Sequence, residues 1–296
     1  MTHETGKDLS PQQNLSWFAV FVTEFIVISV INTFTIIAFA RNRHLRKRTT
    51  YLIINLTVAD LLVGSVTGPL EVFYPEIKPG RGFSLQEFIV LTVYNIFPAS
   101  SLANLSLIAL ERLHATLYPF KHFSIGKWVY LKTIMGCWSL ALHLASLDAV
   151  LVLYEAITSW SISWALAIVL TLLILTISYA IIIVKVRSNP PPQDFNLAVS
   201  NRKLSVTLSM VTVVSILTTL PRAIRAVIPH TIWHQISPVA NDGITYTVLA
   251  LYYASSIINP LIYAIRMKEF RKVVKELLCG KAPELRHVEH IELHAM

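Results

Sequence analysis

The sequence predicts an all-α membrane protein, a bundle of seven transmembrane helices followed by a short amphipathic eighth helix. Of its 296 residues, 54% are apolar and only 14% are charged, and the mean hydropathy is +0.58. Soluble domains carry roughly 25% charged residues, so this composition argues against a soluble enzyme. Seven long apolar stretches and an uneven distribution of Lys and Arg along the chain complete the prediction.

Each apolar stretch is long enough to cross a bilayer core of about 30 Å as a helix, which needs about 20 residues. Helix is expected because a backbone inside lipid must satisfy its own hydrogen bonds. The stretches cover roughly residues 17–40, 51–74, 86–115, 128–153, 160–186, 203–228 and 242–265. The predicted N-terminal segment, seven-helix bundle, juxtamembrane helix and tail therefore occupy residues 1–16, 17–265, 266–280 and 281–296.

The basic residues predict the orientation of the bundle. Of the 25 Lys and Arg residues, 20 lie in the tail and in every second connection, and three lie in the N-terminus and the remaining connections. Basic loops stay in the cytosol. We therefore expect a multi-pass protein of the plasma membrane with an extracellular N-terminus and a cytosolic tail. Because long apolar runs separate the basic residues, no nucleic-acid partner is expected.

The segment after the last span predicts an amphipathic helix on the inner leaflet. Its apolar residues recur at helical spacing and its Lys and Arg residues occupy the other face. Cys279, directly after it, is a candidate for lipidation, and an unmodified cysteine is the alternative. The apolar positions are Phe270, Val273, Val274, Leu277 and Leu278.

Six short motifs occur in order along the predicted spans. They are N-L-T-V-A-D-L at 55–61, E-R-L at 111–113, Trp138, Tyr179, Pro221 and N-P-L-I-Y at 259–263. This set resembles the rhodopsin-like (class A) G-protein-coupled receptors, and the resemblance covers nearly the whole chain. Within that family, the last motif and the residues after it resemble the adenosine, melanocortin and cannabinoid receptor group.

The resemblance implies a receptor rather than an enzyme. Such a receptor transduces the signal of an extracellular small-molecule, lipid or peptide ligand to a heterotrimeric G protein by outward movement of transmembrane helix six. It also implies a switch at the cytosolic ends of the spans. The switch residues carried over from the family are Glu111, Arg112, Tyr179, Asn259, Pro260 and Tyr263.

The switch residues also have simpler interpretations. In the resembled family the acidic neighbour, here Glu111, holds the arginine at rest, whereas Arg112 alone could extend its side chain to lipid headgroups. Pro221 and Pro260 each remove a helical hydrogen bond, which predicts either hinges or static kinks.

Asp60 is an ionisable residue at the predicted middle of the membrane, where a charge requires a partner or a hydrated cavity. Polar residues of three other spans lie at comparable depth and predict a polar core around it. In the resembled family such a core binds a sodium ion, and a hydrogen-bonded core without an ion is the alternative. The predicted members besides Asp60 are Asn32, Ser101, Ser255, Ser256 and Asn259.

The outer half of the bundle carries charges that predict a ligand pocket. Tyr94 stands where amine receptors place an aspartate, and span seven has no lysine for retinal, so an amine ligand and a retinal cofactor are not expected. We expect an anionic part of the ligand at Arg222 and Arg225, and a cationic part at Glu71 or Glu87. Alternatively, these charges pair with one another or with headgroups. The pocket prediction comprises Glu71, Glu87, Tyr94, Asp148, Arg222 and Arg225.

Some positions depart from the family pattern. Glu87 stands where the family has the cysteine of an outer disulfide, and the second outer loop contains no cysteine. Span six has Ser215 and Thr219 where aromatic residues are expected. These losses predict a weakly restrained resting state with basal signalling. They also leave open a decoy or scaffold receptor that does not couple, whereas a transporter is disfavoured because no internal repeat is visible.

One further modification site is predicted. Asn14 begins an Asn14-Leu15-Ser16 glycosylation sequon on the predicted extracellular side. It lies only a few residues from the first span, so an unmodified Asn14 is the alternative.

Overall fold

The computed structural model of the protein describes residues 11–41, 50–73, 84–154, 156–188, 213–214, 216–228, 230–233, 235–266 and 268–278. Every regular element within these ranges is a helix, which confirms the predicted all-α class. The sixth predicted span, residues 203–228, falls partly outside the described residues.

The helices follow the predicted spans closely. In chain order they are α1 (Pro11–Arg41), α2 (Thr50–Leu62), a π-helical turn (Val63–Thr67), α3 (Gly68–Phe73), α4 (Leu85–Leu117), α5 (Pro119–Phe123), α6 (Lys127–Leu153), α7 (Ile157–Ser188), α8 (described helical residues 216–227), α9 (His230–Trp233), α10 (Pro238–Arg266) and α11 (Lys268–Leu278).

Five stretches of the described helices are long and apolar enough to cross a membrane: Gln13–Arg41, Thr50–Phe73, Leu85–Leu117, Lys127–Leu153 and Ser159–Lys185. The 29 residues of α10 span about 44 Å, which also exceeds a bilayer core. The described part of α1 includes Pro11 to Ser16, which precede the predicted start of the first span at residue 17. The predicted glycosylation site Asn14 therefore lies on a helix, where its side chain is exposed.

Two apolar clusters hold the bundle together. The end at which α1 begins is here called the amino-terminal end, and the end that carries α11 the carboxyl-terminal end. At the amino-terminal end, Phe25 packs against Tyr253 with ring centroids 4.9 Å apart. At the carboxyl-terminal end, Phe39 packs against Phe270 of α11 at 5.5 Å.

The predicted amphipathic helix after the seventh span is confirmed as α11 (Lys268–Leu278). Phe270 is 2% exposed and Val273 is buried beside it, so the predicted apolar face of α11 is the face that contacts α1. The predicted lipidation site Cys279 lies outside the described residues.

The second predicted span is interrupted where it packs closely on α1. The π-helical turn Val63–Thr67 ends two residues before Pro69. This proline has no N–H, and its ring would collide with the carbonyl four residues earlier in a regular helix. A wider turn relieves that conflict. A Cβ atom at Gly64 would lie 2.9 Å from the carbonyl oxygen of Phe25, so this approach requires glycine.

Gly64→Ala is expected to lower the melting temperature of the purified protein in detergent. The added methyl group would lie 2.6 Å from Ser29 Oγ and 2.8 Å from Ile28 Cγ2, and overpacking of this kind costs about 1–3 kcal/mol. Gly136→Ala on α6 is the matched control, since a Cβ atom there meets nothing within 4 Å and alanine favours helix. Equal melting temperatures for Gly64→Ala and the native protein would contradict this packing.

Candidate functional site

A buried ion pair lies at the carboxyl-terminal end of α4. Arg112 is 5% exposed, and its Nε atom lies 2.5 Å from Oε2 of Glu111. The other carboxylate oxygen, Oε1, accepts a hydrogen bond from the hydroxyl of Tyr130 at 3.2 Å and lies 3.1 Å from Nε2 of His122. The carboxylate of Glu111 thus holds the arginine from one side while α5 and α6 fix the carboxylate from the other.

Two histidines extend this arrangement. Nδ1 of His114 lies 3.3 Å from Nδ1 of His122. If His122 is neutral and carries its proton on Nε2, it donates to Glu111 and accepts from His114, which satisfies both contacts. Burial lowers the pKa of His122 below its ordinary value, and Arg112 and His114 act in the same direction against the opposing effect of Glu111. The neutral imidazole is therefore the favoured form.

Sequence reasoning missed Tyr130, His114 and His122 as partners of Glu111. His114 follows Glu111 by three residues and therefore shares its helix face, which was an available signal. The contacts of Tyr130 and His122 depend on how α5 and α6 pack against α4, which the local pattern does not contain.

The remaining predicted switch residues lie at different places. Tyr179 is buried in the apolar cluster of the carboxyl-terminal end. Asn259 belongs to the polar core, where it donates to Asp60 Oδ2 at 2.9 Å. Pro260 lies inside α10, which continues through it to Arg266. Tyr263 is also in α10, but its side chain lies outside the described residues.

Asp60 is fully buried and ties three helices together. Its carboxylate accepts hydrogen bonds from Ser101 of α4 at 2.7 Å and Ser256 of α10 at 2.8 Å, besides the Asn259 amide. Asn32 of α1 joins through its own bond to the Ser256 carbonyl at 3.1 Å. The structure therefore brings the four predicted spans together at this carboxylate.

Ser255 does not join the hydrogen bonds to Asp60. Its hydroxyl donates to the carbonyl of Tyr252 on its own helix at 2.7 Å. It lies instead on the wall of a cavity of about 10 Å³ that is also lined by Ser101 and Ser256. That volume corresponds to about one water-sized sphere.

The polar core has oxygen atoms to offer to a cation. Among the described residues, the buried Oδ1 atoms of Asn32 and Asn259 have no hydrogen-bond partner. Together with the Asp60 carboxylate they form a set of hard oxygen donors. Within the described part of the chain, no group of three or more His, Cys, Asp or Glu side chains is placed to hold a metal. One carboxylate with neutral oxygens suits a monovalent cation better than a divalent one.

A second polar chain connects α2, α4 and α6. Nε1 of Trp138 donates to Asn55 Oδ1 at 3.0 Å, and Nδ2 of Asn55 donates to Asn104 Oδ1 at 2.6 Å. Asn104 in turn donates to the carbonyl of Ser100 at 2.9 Å. Sequence reasoning missed this chain. Polar residues at 55 and 104 within apolar spans were the signal, because such groups need partners in lipid.

The two predicted arginines line one cavity at the amino-terminal end. This cavity has a volume of about 220 Å³, and its wall includes Trp160, Trp164, Arg222, Arg225 and Trp233. The guanidinium of Arg222 lies 5.6 Å from the ring centroid of Trp164, and that of Arg225 lies 4.2 Å from that of Trp233. Both distances are within the range of cation–π attraction.

The predicted acidic residues are not in the wall of that cavity. The hydroxyl of Tyr94 contacts Glu71 Oε2, and the hydroxyl of Tyr253 lies 3.3 Å from the same oxygen. Glu71 is thereby engaged by two tyrosines, although its charge still acts electrostatically on Arg222.

Glu87 and Asp148 also lie apart from the cavity wall. Glu87 is in the first turn of α4, where its N–H donates to the capping Ser84 at 3.4 Å and its negative charge suits the helix dipole. Asp148 is buried on α6. Glu71 and Glu87 therefore lie outside the wall that contains the two arginines, and their contact with a cationic part of the ligand stays a prediction.

Comparison with known proteins matches residues 31–263 to the family described as "7 transmembrane receptor (rhodopsin family)". Human melanocortin receptor 3 is 26% identical over 280 residues, which cover 88% of the chain and 84% of that receptor.

Two other receptors match over shorter segments. Mouse neuropeptide FF receptor 2 is 31% identical over 137 residues, covering 45% of the chain and 33% of that receptor. D(2) dopamine receptor A of Xenopus laevis is 30% identical over 119 residues, covering 40% of the chain and 26% of that receptor. The aligned segments therefore span a third or less of these two relatives.

His122 is expected to make the stability of the protein depend on pH. Its pKa in the folded state is below that in the unfolded state, which is about 6.5. Below that pH, His122 binds a proton more readily in the unfolded chain than in the folded protein. The free energy of unfolding therefore falls as the pH decreases. Between about pH 7.5 and about pH 5.5, the melting temperature should drop further for the native protein than for His122→Asn.

His143→Asn is the control for this experiment. His143 is exposed on α6, about 20 Å along the helix from Tyr130, and its replacement should leave the drop unchanged. An undiminished drop in His122→Asn would show that His122 is not responsible.

Proposed function

Because the chain belongs to the rhodopsin family of seven-transmembrane receptors, with a melanocortin receptor among its relatives, we propose that it transduces the signal of an extracellular ligand to a heterotrimeric G protein. The family assignment rests on the match over residues 31–263. Outward movement of the sixth span, which contains α8, is the proposed transducing step. The protein is a multi-pass membrane protein, and the distribution of its basic residues supports an extracellular N-terminus in the plasma membrane.

The observation that carries this proposal is the buried pair of Glu111 and Arg112. An arginine that is 5% exposed and bonded at 2.5 Å to a carboxylate is unavailable to a protein partner. Once the bond breaks, the guanidinium offers a forked donor to an incoming partner at the same end of the bundle. We infer that the structure is the resting state and that Arg112 is the group released to the G protein.

Two prolines support movement of the sixth and seventh spans. Pro221 lies inside α8 and Pro260 inside α10, so each of these helices lacks one internal hydrogen bond. A helix bends at such a point at lower cost than elsewhere. Displacement of α8 about Pro221 would open the carboxyl-terminal end beside Arg112.

The ligand is proposed to bind in the cavity at the opposite end. Its wall combines Arg222 and Arg225 with three tryptophans, which supports an anionic group on the ligand. Because Arg222 directly follows Pro221, a ligand that moves this arginine acts on the proposed hinge.

We also propose that Asp60 holds a sodium ion in the resting receptor. The residues that would hold it are Asp60, Ser101 and Ser256, with the amide oxygens of Asn32 and Asn259, whose present lack of a partner supports the fit. A bound cation would neutralise the buried carboxylate and hold α2, α4 and α10 together.

Glu111→Gln is expected to raise ligand-free G-protein activation in cells about fivefold or more. The substitution replaces a charge-assisted contact with a neutral one, and such contacts contribute about 1–3 kcal/mol. Arg112→Ala should abolish activation at equal surface expression. Both are measured by energy transfer between labelled G-protein subunits, with Lys132→Gln, an exposed lysine near the same end of α6, as the charge-removing control.

An absence of activation in the native protein and in Glu111→Gln, with every tested G protein and normal surface expression, would overturn coupling. That result would favour the non-coupling decoy or scaffold receptor, which the buried Thr219 in place of an aromatic residue of span six also suggests.

Asp60→Asn is expected to remove stabilisation by sodium. The native protein should melt at a higher temperature in about 150 mM sodium chloride than in choline chloride of equal concentration, and the variant should show no difference. Asp148→Asn removes another buried carboxylate outside the polar core and should retain the sodium effect. Sodium stabilisation of equal size in Asp60→Asn would place the ion elsewhere.

A further inference from the structure

The cavity at the amino-terminal end is rich in unpaired hydrogen-bond donors. Four of the side chains that line it carry a buried nitrogen with no hydrogen-bond partner among the described residues. Each of these atoms carries only protons to donate: Nε of Arg222, Nη1 of Arg225, and the indole Nε1 atoms of Trp160 and Trp164. A buried donor without an acceptor loses the hydrogen bonds it would make in water, so the cavity favours an occupant that supplies several acceptors.

Among the described residues, no negative group lies in the wall of this cavity. Glu71 is engaged by Tyr94 and Tyr253, and Asp242, which acts electrostatically on Arg225, also lies outside the wall. A cationic ligand group would therefore meet two guanidinium groups and no carboxylate, whereas an anionic one would meet complementary charge.

Most of the remaining wall is apolar, and Ser161 and Thr245 add two hydroxyl groups to it. Trp160, Trp164 and Trp233 contribute indole rings, and Val248 and Ile228 contribute aliphatic side chains. The cavity volume of about 220 Å³ lies below the range of about 300–1,000 Å³ for pockets that bind drug-sized ligands. The occupant is therefore small, with a flat apolar body.

We propose, on the basis of the receptor function proposed above, that the ligand of this cavity is a small monocarboxylate with an aromatic or similarly flat body. Its carboxylate accepts hydrogen bonds from Arg222 and Arg225, whose forked geometry matches a carboxylate. The indole N–H groups of Trp160 and Trp164 are further donors to the same head group. This ligand has no cationic part, in contrast to the zwitterion that the sequence allowed.

Binding is tested on the purified full-length protein in lipid nanodiscs, without any G protein. Three probes of one shape but different charge are compared by their effect on the melting temperature: phenylacetate, phenylacetamide and phenethylamine. Concentrations reach about 10 mM, because a ligand of about ten heavy atoms can bind with a Kd below 1 mM. Phenylacetate should raise the melting temperature, and the amide and the amine should not.

Substitutions then identify the donors. Arg222→Gln and Arg225→Gln should each raise the Kd of phenylacetate about tenfold or more, and Trp164→Phe, which keeps a ring but removes the N–H, about threefold or more. Arg222→Lys keeps the charge without the fork and should bind with intermediate affinity, which guards against a folding defect in Arg222→Gln. Arg271→Gln, exposed on α11 at the opposite end, should bind like the native protein.

The outcomes separate this inference from the proposed coupling. Phenylacetate binding without G-protein activation in cells would leave the inference standing and count against coupling. Equal shifts with all three probes, unchanged affinity in both arginine variants, or no shift with phenylacetate would overturn the inference. None of these three results would alter ligand-free coupling through Arg112.

Discussion

The cost of an unpaired polar group inside a membrane is the constraint on which this bundle depends. Asp60 accepts hydrogen bonds from three donors of α4 and α10, and Asn55 forms hydrogen bonds with partners on α4 and α6. A donor or acceptor in lipid has no water with which to form a hydrogen bond. Each of these contacts therefore also fixes the position of one helix against another. The apolar clusters at the two ends add packing around these polar connections rather than replacing them.

The same constraint gives three arginines of the bundle different roles. Arg112 is paired with Glu111, which suits an arginine that becomes available only when this ion pair breaks. Arg222 and Arg225 lie against aromatic rings and each retain a nitrogen without a partner in the described chain. A ring face attracts a guanidinium but leaves its in-plane N–H groups available. The paired arginine therefore lies at the end proposed to bind the G protein. The two arginines with an unpaired nitrogen lie at the end proposed to bind the ligand.

Much of this architecture was accessible from sequence because hydropathy and helix length are local properties. The spans, the apolar face of α11 and the polar surroundings of Asp60 follow from residue type and spacing alone. The exceptions depend on packing. Ser255 and Ser256 lie about 100° apart around α10, so membrane depth alone cannot say which of them faces Asp60. The engagement of Glu71 by Tyr94 and Tyr253 required α3, α4 and α10 to meet, and the need for glycine at position 64 required the approach of α1.

The hydrogen-bonded chain from Trp138 through Asn55 to Asn104 has a consequence for biogenesis. The helices are synthesised in the order α2, α4, α6, so Asn55 lacks its indole partner until the fourth span leaves the ribosome. A nascent chain cut short before Trp138 would present an incompletely satisfied amide to lipid or to the translocon. The hydrogen-bonded connection among α2, α4 and α6 is therefore complete only after the fourth span has been made.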